Sequence, residues 1–235
     1  MNIAATIAGE LGVKESFVAA ALKLMAEGNT VPFIARYRKE ATGGLDDSQL
    51  RTIEERSTYL RELEERKETI LAAIEEQGKL TDDLRTLIVA CETKARLEDL
   101  YLPYKKRRKT KADIAREAGL EPLTDKLIED PTADPEQLAG EYLTEGFEET
   151  KKALEGARAI LVDRFALDAD LVGEVRERMY TTGSMNAGVV EGKETEGAKF
   201  KDYFEFSEPF EKLPSHRILA LLRGENEGVL QLNLD

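Results

Sequence analysis

A chain of 235 residues, 41% hydrophobic and 34% charged, can bury a substantial core, and that balance excludes intrinsic disorder. The 34 Lys and Arg against 47 Asp and Glu leave a net charge of −13, which excludes a general nucleic-acid coat protein because most of the surface must repel polyanions. Cys91 stands alone, excluding an internal disulfide or a cysteine zinc site and fitting the reducing cytoplasm, the expected location; no apolar run nears the roughly 20 residues of a membrane span.

The N-terminus lacks the basic-then-apolar pattern of a secretory signal. Ile3, Ile7 and Leu11 space one short amphipathic helix. A second runs from about Lys14 to Glu27, with Phe17, Val18, Ala21, Leu22 and Met25 inward and Gly28 as its stop. Thr30 caps a third, with Pro32 in its first turn, through Lys39, and Gly43-Gly44 ends it. Arg36, Arg38 and Lys39 make this third helix a candidate for non-specific nucleic-acid contact. No base-reading Asn or Gln accompanies the arginines, which argues against sequence-specific reading. The bland alternative is pairing with carboxylates on neighbouring helices.

From Asp46 or Asp47 to about Gln77 the pattern predicts one helix of roughly 32 residues, on the order of 48 Å long. Leu50, Ile53, Leu60, Leu63, Ile70, Leu71 and Ile74 form its apolar stripe, interrupted by Ser57 and Lys67. Arg51–Glu55, Arg61–Glu65 and Glu62–Arg66 are spaced for i,i+4 pairing. The interruptions suggest a strut between packed regions rather than a coiled coil, which needs sustained heptads.

Thr81 caps the next helix, with Leu84, Leu87, Ile88 and Cys91 inward, and another spans about Ala95–Tyr101, stopped by Pro103. Six of the seven residues from Lys105 to Lys111 are then basic: Lys105, Lys106, Arg107, Arg108, Lys109 and Lys111. On an acidic body this cluster is the kind of local field that captures phosphate, with Tyr101 and Tyr104 as stacking platforms for unpaired bases. Its alternatives are a solvated loop that pairs with the acidic stretch 121–155 or with another domain, and, for the tyrosines, packing beside Leu100, Leu102 and Pro103.

Thr110 and Asp113 fit a capping box opening a helix through Ala118. Residues 121–155 carry 11 acidic against 3 basic side chains and include a helix start at Asp134-Pro135-Glu136. Two more helices are expected within Thr150–Tyr180, broken at Thr181–Ser184. Phe200, Tyr203, Phe204, Phe206 and Phe210 then concentrate aromatics, read as core or as a docking face between domains. Pro214-Ser215 starts a last helix. Leu230, Leu232 and Leu234 alternate with polar residues as a strand. Its partner is either a segment near Gly188–Glu191 or, the favoured reading, a domain beyond this chain.

No enzyme signature emerges. His216 sits beside Ser215 at a helix start, where capping or packing is the default and sequence adjacency alone makes no catalytic pair. No phosphate-cradling glycine loop, zinc spacing or calcium loop occurs, so neither a cofactor nor a metal is expected.

Residues 30–46 (TVPFIARYRKEATGGLD), 75–81 (EEQGKLT), 97–111 (LEDLYLPYKKRRKTK), 115–122 (AREAGLEP) and 203–228 resemble the N-terminal region of the Tex family of bacterial transcription accessory proteins, similar to the eukaryotic Spt-type elongation factor. The blocks are long, ordered and spread over the whole chain. Lys106 departs from the family pattern, which has Pro there. The resemblance implies a protein about three times this length, continuing into a ribonuclease-H-like domain, helix-hairpin-helix motifs and an OB-fold RNA-binding domain. It also implies a helix-turn-helix element, which the second and third helices suit.

The expected fold is therefore mainly α: helical subdomains, one helix-turn-helix-like, joined by a long central helix and followed by a short mixed α/β tail. Its segments are 1–45, 46–78, 79–182 and 183–235, the last leading into a downstream domain. The expected function is a non-catalytic module of a transcription accessory protein, giving scaffold and an auxiliary phosphate contact to RNA or DNA, weak in this fragment alone. The alternative is an interaction scaffold that meets RNA polymerase or the protein's own downstream domains without nucleic acid. No membrane partner is expected.

Overall fold

The computed structural model describes residues 2–235, which divide into two compact units, one through Tyr104 and one from Lys105 to Asp235. The first comprises α1 (Ile3–Leu11), α2 (Glu15–Ala26), α3 (Val31–Tyr37), α4 (Lys39–Thr42), α5 (Asp47–Glu76), α6 (Asp82–Ala90), α7 (Lys94–Tyr101) and a 3-10 turn over Leu102–Tyr104. The fold is mainly α, as expected.

The spine of this unit is α5. A capping box opens it: the Gln49 amide donates to Asp46 Oδ1 at 2.8 Å, and the Asp46 amide donates to Gln49 Oε1 at 3.1 Å. Leu50, Ile53, Ser57, Leu60, Leu63, Lys67, Ile70 and Ile74 are buried along one face and recur every three or four residues. Ser57 and Lys67 thus continue the stripe instead of interrupting it. The Ser57 hydroxyl donates to the Glu54 carbonyl at 2.9 Å. Lys67 Nζ donates to Glu64 Oε1 at 2.8 Å and to the Val89 carbonyl at 2.9 Å. Each polar tip is satisfied, so the apolar stem can be buried with its neighbours. Because the stripe is unbroken, α5 packs against α1, α2, α3, α6 and α7, all within this unit.

Two of its exposed charges reach across to α7: Arg66 pairs with Glu98 at 2.6 Å and Glu62 pairs with Lys94. Arg51 pairs along α5, back to Asp47 at 2.7 Å. The expected third helix is split: Arg38 adopts φ −128° and ψ 28°, separating α3 from α4. Gly43 closes α4 at φ +64°, where a Cβ would lie 2.3 Å from the Phe17 ring, so glycine is required twice over.

The second unit begins with the loop 105–110. It continues through α8 (Lys111–Glu117), α9 (Glu121–Glu129), α10 (Pro135–Gly140), α11 (Thr150–Leu167), α12 (Ala169–Thr182), β1 (Ser184–Val189), β2 (Glu205–Pro209), α13 (Ser215–Asn226) and β3 (Leu230–Leu234). Small side chains bring α8 onto α11: Ala112 and Ala115 meet Ala153, Ala157 and Ile160 in one core with Leu120 and Leu123. Gly156 keeps this contact close, since a Cβ there would sit 2.5 Å from Leu120 Cδ1.

The terminal strand finds its partner inside the chain, correcting the favoured expectation of a partner in a downstream domain. β3 pairs antiparallel with β1, from Met185↔Leu234 to Val189↔Leu230, and β2 pairs with the other edge of β1, giving the order β2-β1-β3. Phe206, Ala187 and Leu232 stand opposite one another across the three strands. Phe200, Tyr203, Phe204 and Phe206 join Leu221 of α13 and Leu230 in the core beneath this sheet, so four of the five clustered aromatics serve packing. Phe210 meets Tyr180 edge-on at 5.9 Å. The partner strand carries only a faint signature: in β1 (SMNAGV) Met185, Ala187 and Val189 alternate with Ser184, Asn186 and Gly188, but the run is short and Ala, Asn and Gly are poor strand formers.

Among the described residues, no helix is long and apolar enough to cross a membrane.

Lys67→Ala should destabilise the first unit by about 2–3 kcal/mol, because it removes the buried stem and the bonds that its amine makes to Glu64 and the Val89 carbonyl. Lys67→Met, which restores the stem, should recover part of that loss. Urea unfolding midpoints measure both; an unchanged midpoint for Lys67→Ala would mean that the amine is not buried on the stripe.

Candidate nucleic-acid interface

The basic loop is held at its middle. Arg107 grips Asp163 of α11 with two parallel bonds, Nη1 to Oδ1 at 2.8 Å and Nη2 to Oδ2 at 3.2 Å. Arg116 of α8 donates to Asp163 Oδ2 at 2.8 Å from its own Nη1. The Asp163 side chain is only 10% exposed, so the two guanidiniums enclose it. The Arg107 bonds first, and then those of Arg116, hold its carboxyl below the ordinary aspartate range, against the opposing effect of burial.

Below Arg107 the chain enters α8 through the expected capping box. The Thr110 amide donates to Asp113 Oδ2 at 2.9 Å, and the Asp113 amide donates to Thr110 Oγ1 at 3.2 Å. Asp113 lies 3.6 Å from Arg107 and 3.4 Å from Arg116, so one charged cluster joins the loop, the start of α8 and the side of α11. The chain continues this alternation where Arg164 bridges Glu121 at 2.9 Å and Asp125 at 2.6 Å.

The remaining cations of the loop differ in state. Lys109 pairs with Glu117. Lys105, Lys106, Arg108 and Lys111 are exposed and make no ion pair among the described residues. Lys111 occupies the first turn of α8, where the helix dipole disfavours a cation. The acidic 121–155 stretch is not what neutralises this loop: Arg107 and Lys109 use Asp163 and Glu117, which lie outside it.

The tyrosines belong to the first unit and are half-buried. Tyr101 has the Arg66 guanidinium over its ring at 5.5 Å, so one face is already occupied. The Tyr104 carbonyl accepts from Gln77 Nε2 at 3.0 Å, which fixes the backbone there.

On α3, Val31 and Ile34 are buried; Arg36 on α3, Arg38 in the break after it and Lys39 at the start of α4 are exposed and make no ion pair among the described residues. Sequence reasoning passed over two neighbours, Phe33 and Tyr37. Their i,i+4 spacing off the Val31–Ile34 face was the available signal. Asp163 was passed over too, and a single Asp on a helix of mixed charge carries no signal of its own.

His216 is exposed in the first turn of α13. Cys91 is buried, with its thiol pushed up by burial, which disfavours the reactive thiolate. Among the described residues, no group of three or more His, Cys, Asp and Glu is arranged to hold a metal ion.

Asp163 also sets a pH dependence. Its folded pKa lies below the unfolded value of about 3.9, so its contribution is present above that value and is lost as pH falls through the folded pKa. Asp163→Asn should therefore be less stable than the parent at pH 7, with the gap narrowing as pH falls below about 4. Urea midpoints from pH 3 to 7 read this difference directly. A gap that stays constant with pH would mean that the carboxylate charge contributes nothing to holding the loop.

Two family models match the chain: the Tex-like protein N-terminal domain over residues 1–75 and the Tex central region-like over residues 130–235. The transcriptional accessory protein Tex of Neisseria gonorrhoeae is 56% identical over 234 residues, with 100% of this chain and 31% of that protein covered. Protein YhgF of Escherichia coli is 58% identical over 231 residues, covering 97% of this chain and 30% of its own length. The human S1 RNA-binding domain-containing protein 1 is 32% identical over 224 residues, 91% of this chain and 22% of that protein. The chain thus spans about a third or less of the length of these relatives. With both Tex models matched in order and more than half of the residues shared with the Neisseria gonorrhoeae and Escherichia coli relatives, the chain belongs to the Tex family and corresponds to its N-terminal part.

Proposed function

We propose that this region is a non-catalytic module of a cytoplasmic transcription accessory protein, supplying scaffold and an auxiliary, salt-sensitive phosphate contact to RNA or DNA. The observation that carries the reading is the state of the loop. Arg107 is spent on Asp163, while Lys105, Lys106, Arg108 and Lys111 remain exposed and unpaired on a chain of net charge −13. Three free cations on an anchored loop and a fourth, Lys111, at the helix start that follows are organised before a ligand arrives, which lowers the ordering cost of binding. Arg36 of α3, Arg38 and Lys39 of α4 are proposed as a second, weaker contact of the same kind.

The acidic body repels polyanions beyond these points, so binding by this region alone is weak. A human relative whose name includes an S1 RNA-binding domain supports nucleic acid as the class of partner. A second reading is a protein-interaction scaffold for RNA polymerase or for the protein's own downstream domains. It draws on Arg107 and Lys109, which already pair with protein carboxylates.

Replacing Lys105, Lys106 and Arg108 with Gln should leave the melting temperature unchanged and flatten the salt dependence of oligonucleotide binding by about 0.7–0.9 for each phosphate no longer neutralised. Arg107→Gln should instead lower the melting temperature. Fluorescence anisotropy over a salt series separates the readings: equal slopes before and after the triple change would assign the loop to protein contacts.

A further inference from the structure

We infer that α3 is a stacking platform for unpaired bases, with Phe33 and Tyr37 taking the bases and Arg36, Arg38 and Lys39 the adjoining phosphates. The inference rests on the phosphate reading of those three cations and adds to it a ligand class, single-stranded nucleic acid.

Phe33 and Tyr37 lie one helical turn apart with ring centroids 5.2 Å from each other and planes tilted by 46°. They remain 37% and 56% exposed. The core needs neither ring, because Val31 and Ile34 supply the face that α3 presents to α2 and α5. Two large rings left at the surface side by side are a patch that calls for a partner. The Arg38 guanidinium stands 5.5 Å from the Phe33 centroid, within cation–π range, so charge and ring form one surface.

Its electrostatics select the partner. Arg36, Arg38 and Lys39 fall within four residues and make no ion pair among the described residues, in a chain with 13 more acidic than basic side chains. A polyanion supplies the missing charge. Glu40, exposed next to Lys39, adds one local carboxylate and leaves the cluster net positive. Duplex nucleic acid offers phosphates but keeps its base faces stacked inside, leaving the rings unused. An acidic protein segment would likewise satisfy the cations without needing two exposed rings beside them. A single strand uses both features, in the way that strand-binding surfaces combine cations with stacked aromatics.

The chain contains no Trp, so Tyr37→Trp introduces a single reporter that still presents an aromatic face. The 235-residue chain carrying it is titrated at low salt with a thymidylate dodecamer, a duplex of the same length and polyglutamate of similar charge. Anisotropy of labelled strands follows total binding in parallel. The expected result is Trp quenching by the single strand and not by the other two. Phe33→Ala and Tyr37→Ala should each weaken single-strand binding about five-fold or more without changing the melting temperature. Binding seen by anisotropy without Trp quenching would overturn the stacking inference and leave the phosphate reading standing. Equal response to polyglutamate or duplex would reassign α3 to that partner and overturn it as well. Absence of any binding at low salt would remove both readings.

Discussion

The basic loop depends on one carboxylate. Asp163 accepts two bonds from Arg107 and one from Arg116, and so ties an otherwise irregular segment to α11 and to the start of α8. Without it, residues 105–110 would keep the Thr110–Asp113 capping box and two more exposed ion pairs, Lys109 with Glu117 and Arg107 with Asp113. A bidentate guanidinium–carboxylate pair fixes direction as well as distance, which a lysine in place of Arg107 would not. The mostly covered position of Asp163 makes the interaction less subject to salt screening than the exposed pairs along α5.

This arrangement divides labour within one run of basic residues. Arg107 and Lys109 are neutralised inside the chain, so they position the loop rather than attract ligand. Lys105, Lys106, Arg108 and Lys111 keep their charge available. Elsewhere in the same unit the logic is reversed: Arg164 neutralises Glu121 and Asp125, quieting part of the acidic stretch nearest in sequence to α8. Positive charge is thus left free at a few points of a strongly acidic chain. Such a surface favours weak, local contact over wrapping.

Elements whose signals are local were legible from sequence. The helix start at Asp46 or Asp47, the capping box at Thr110 and the start at Asp134 are decided within four residues, and each opens a helix where its pattern indicates. The long helix was legible in its extent, but the burial of its polar members was not. Ser57 and Lys67 are polar by residue type, yet both fit the buried stripe because each finds a carbonyl within reach. The terminal strand was legible alone; its partner was not, because the pairing spans some 45 residues and the alternation in β1 is short and built on weak strand formers. The basic cluster was legible as charge. Which of its members are spent depended on Asp163 and Glu117, and only the folded chain brings those carboxylates to Arg107 and Lys109.

The division between anchoring and available cations can be read side chain by side chain. In a nitrogen-resolved NMR titration of the chain with a single-stranded oligonucleotide at low salt, each arginine Nε–H and each loop amide reports separately. Arg108 and the amides of Lys105, Lys106 and Lys111 are expected to shift with added strand, while the Arg107 signal stays in place on Asp163. An Arg107 signal that moves as far as that of Arg108, or a loop in which nothing moves while binding occurs elsewhere, would contradict that division.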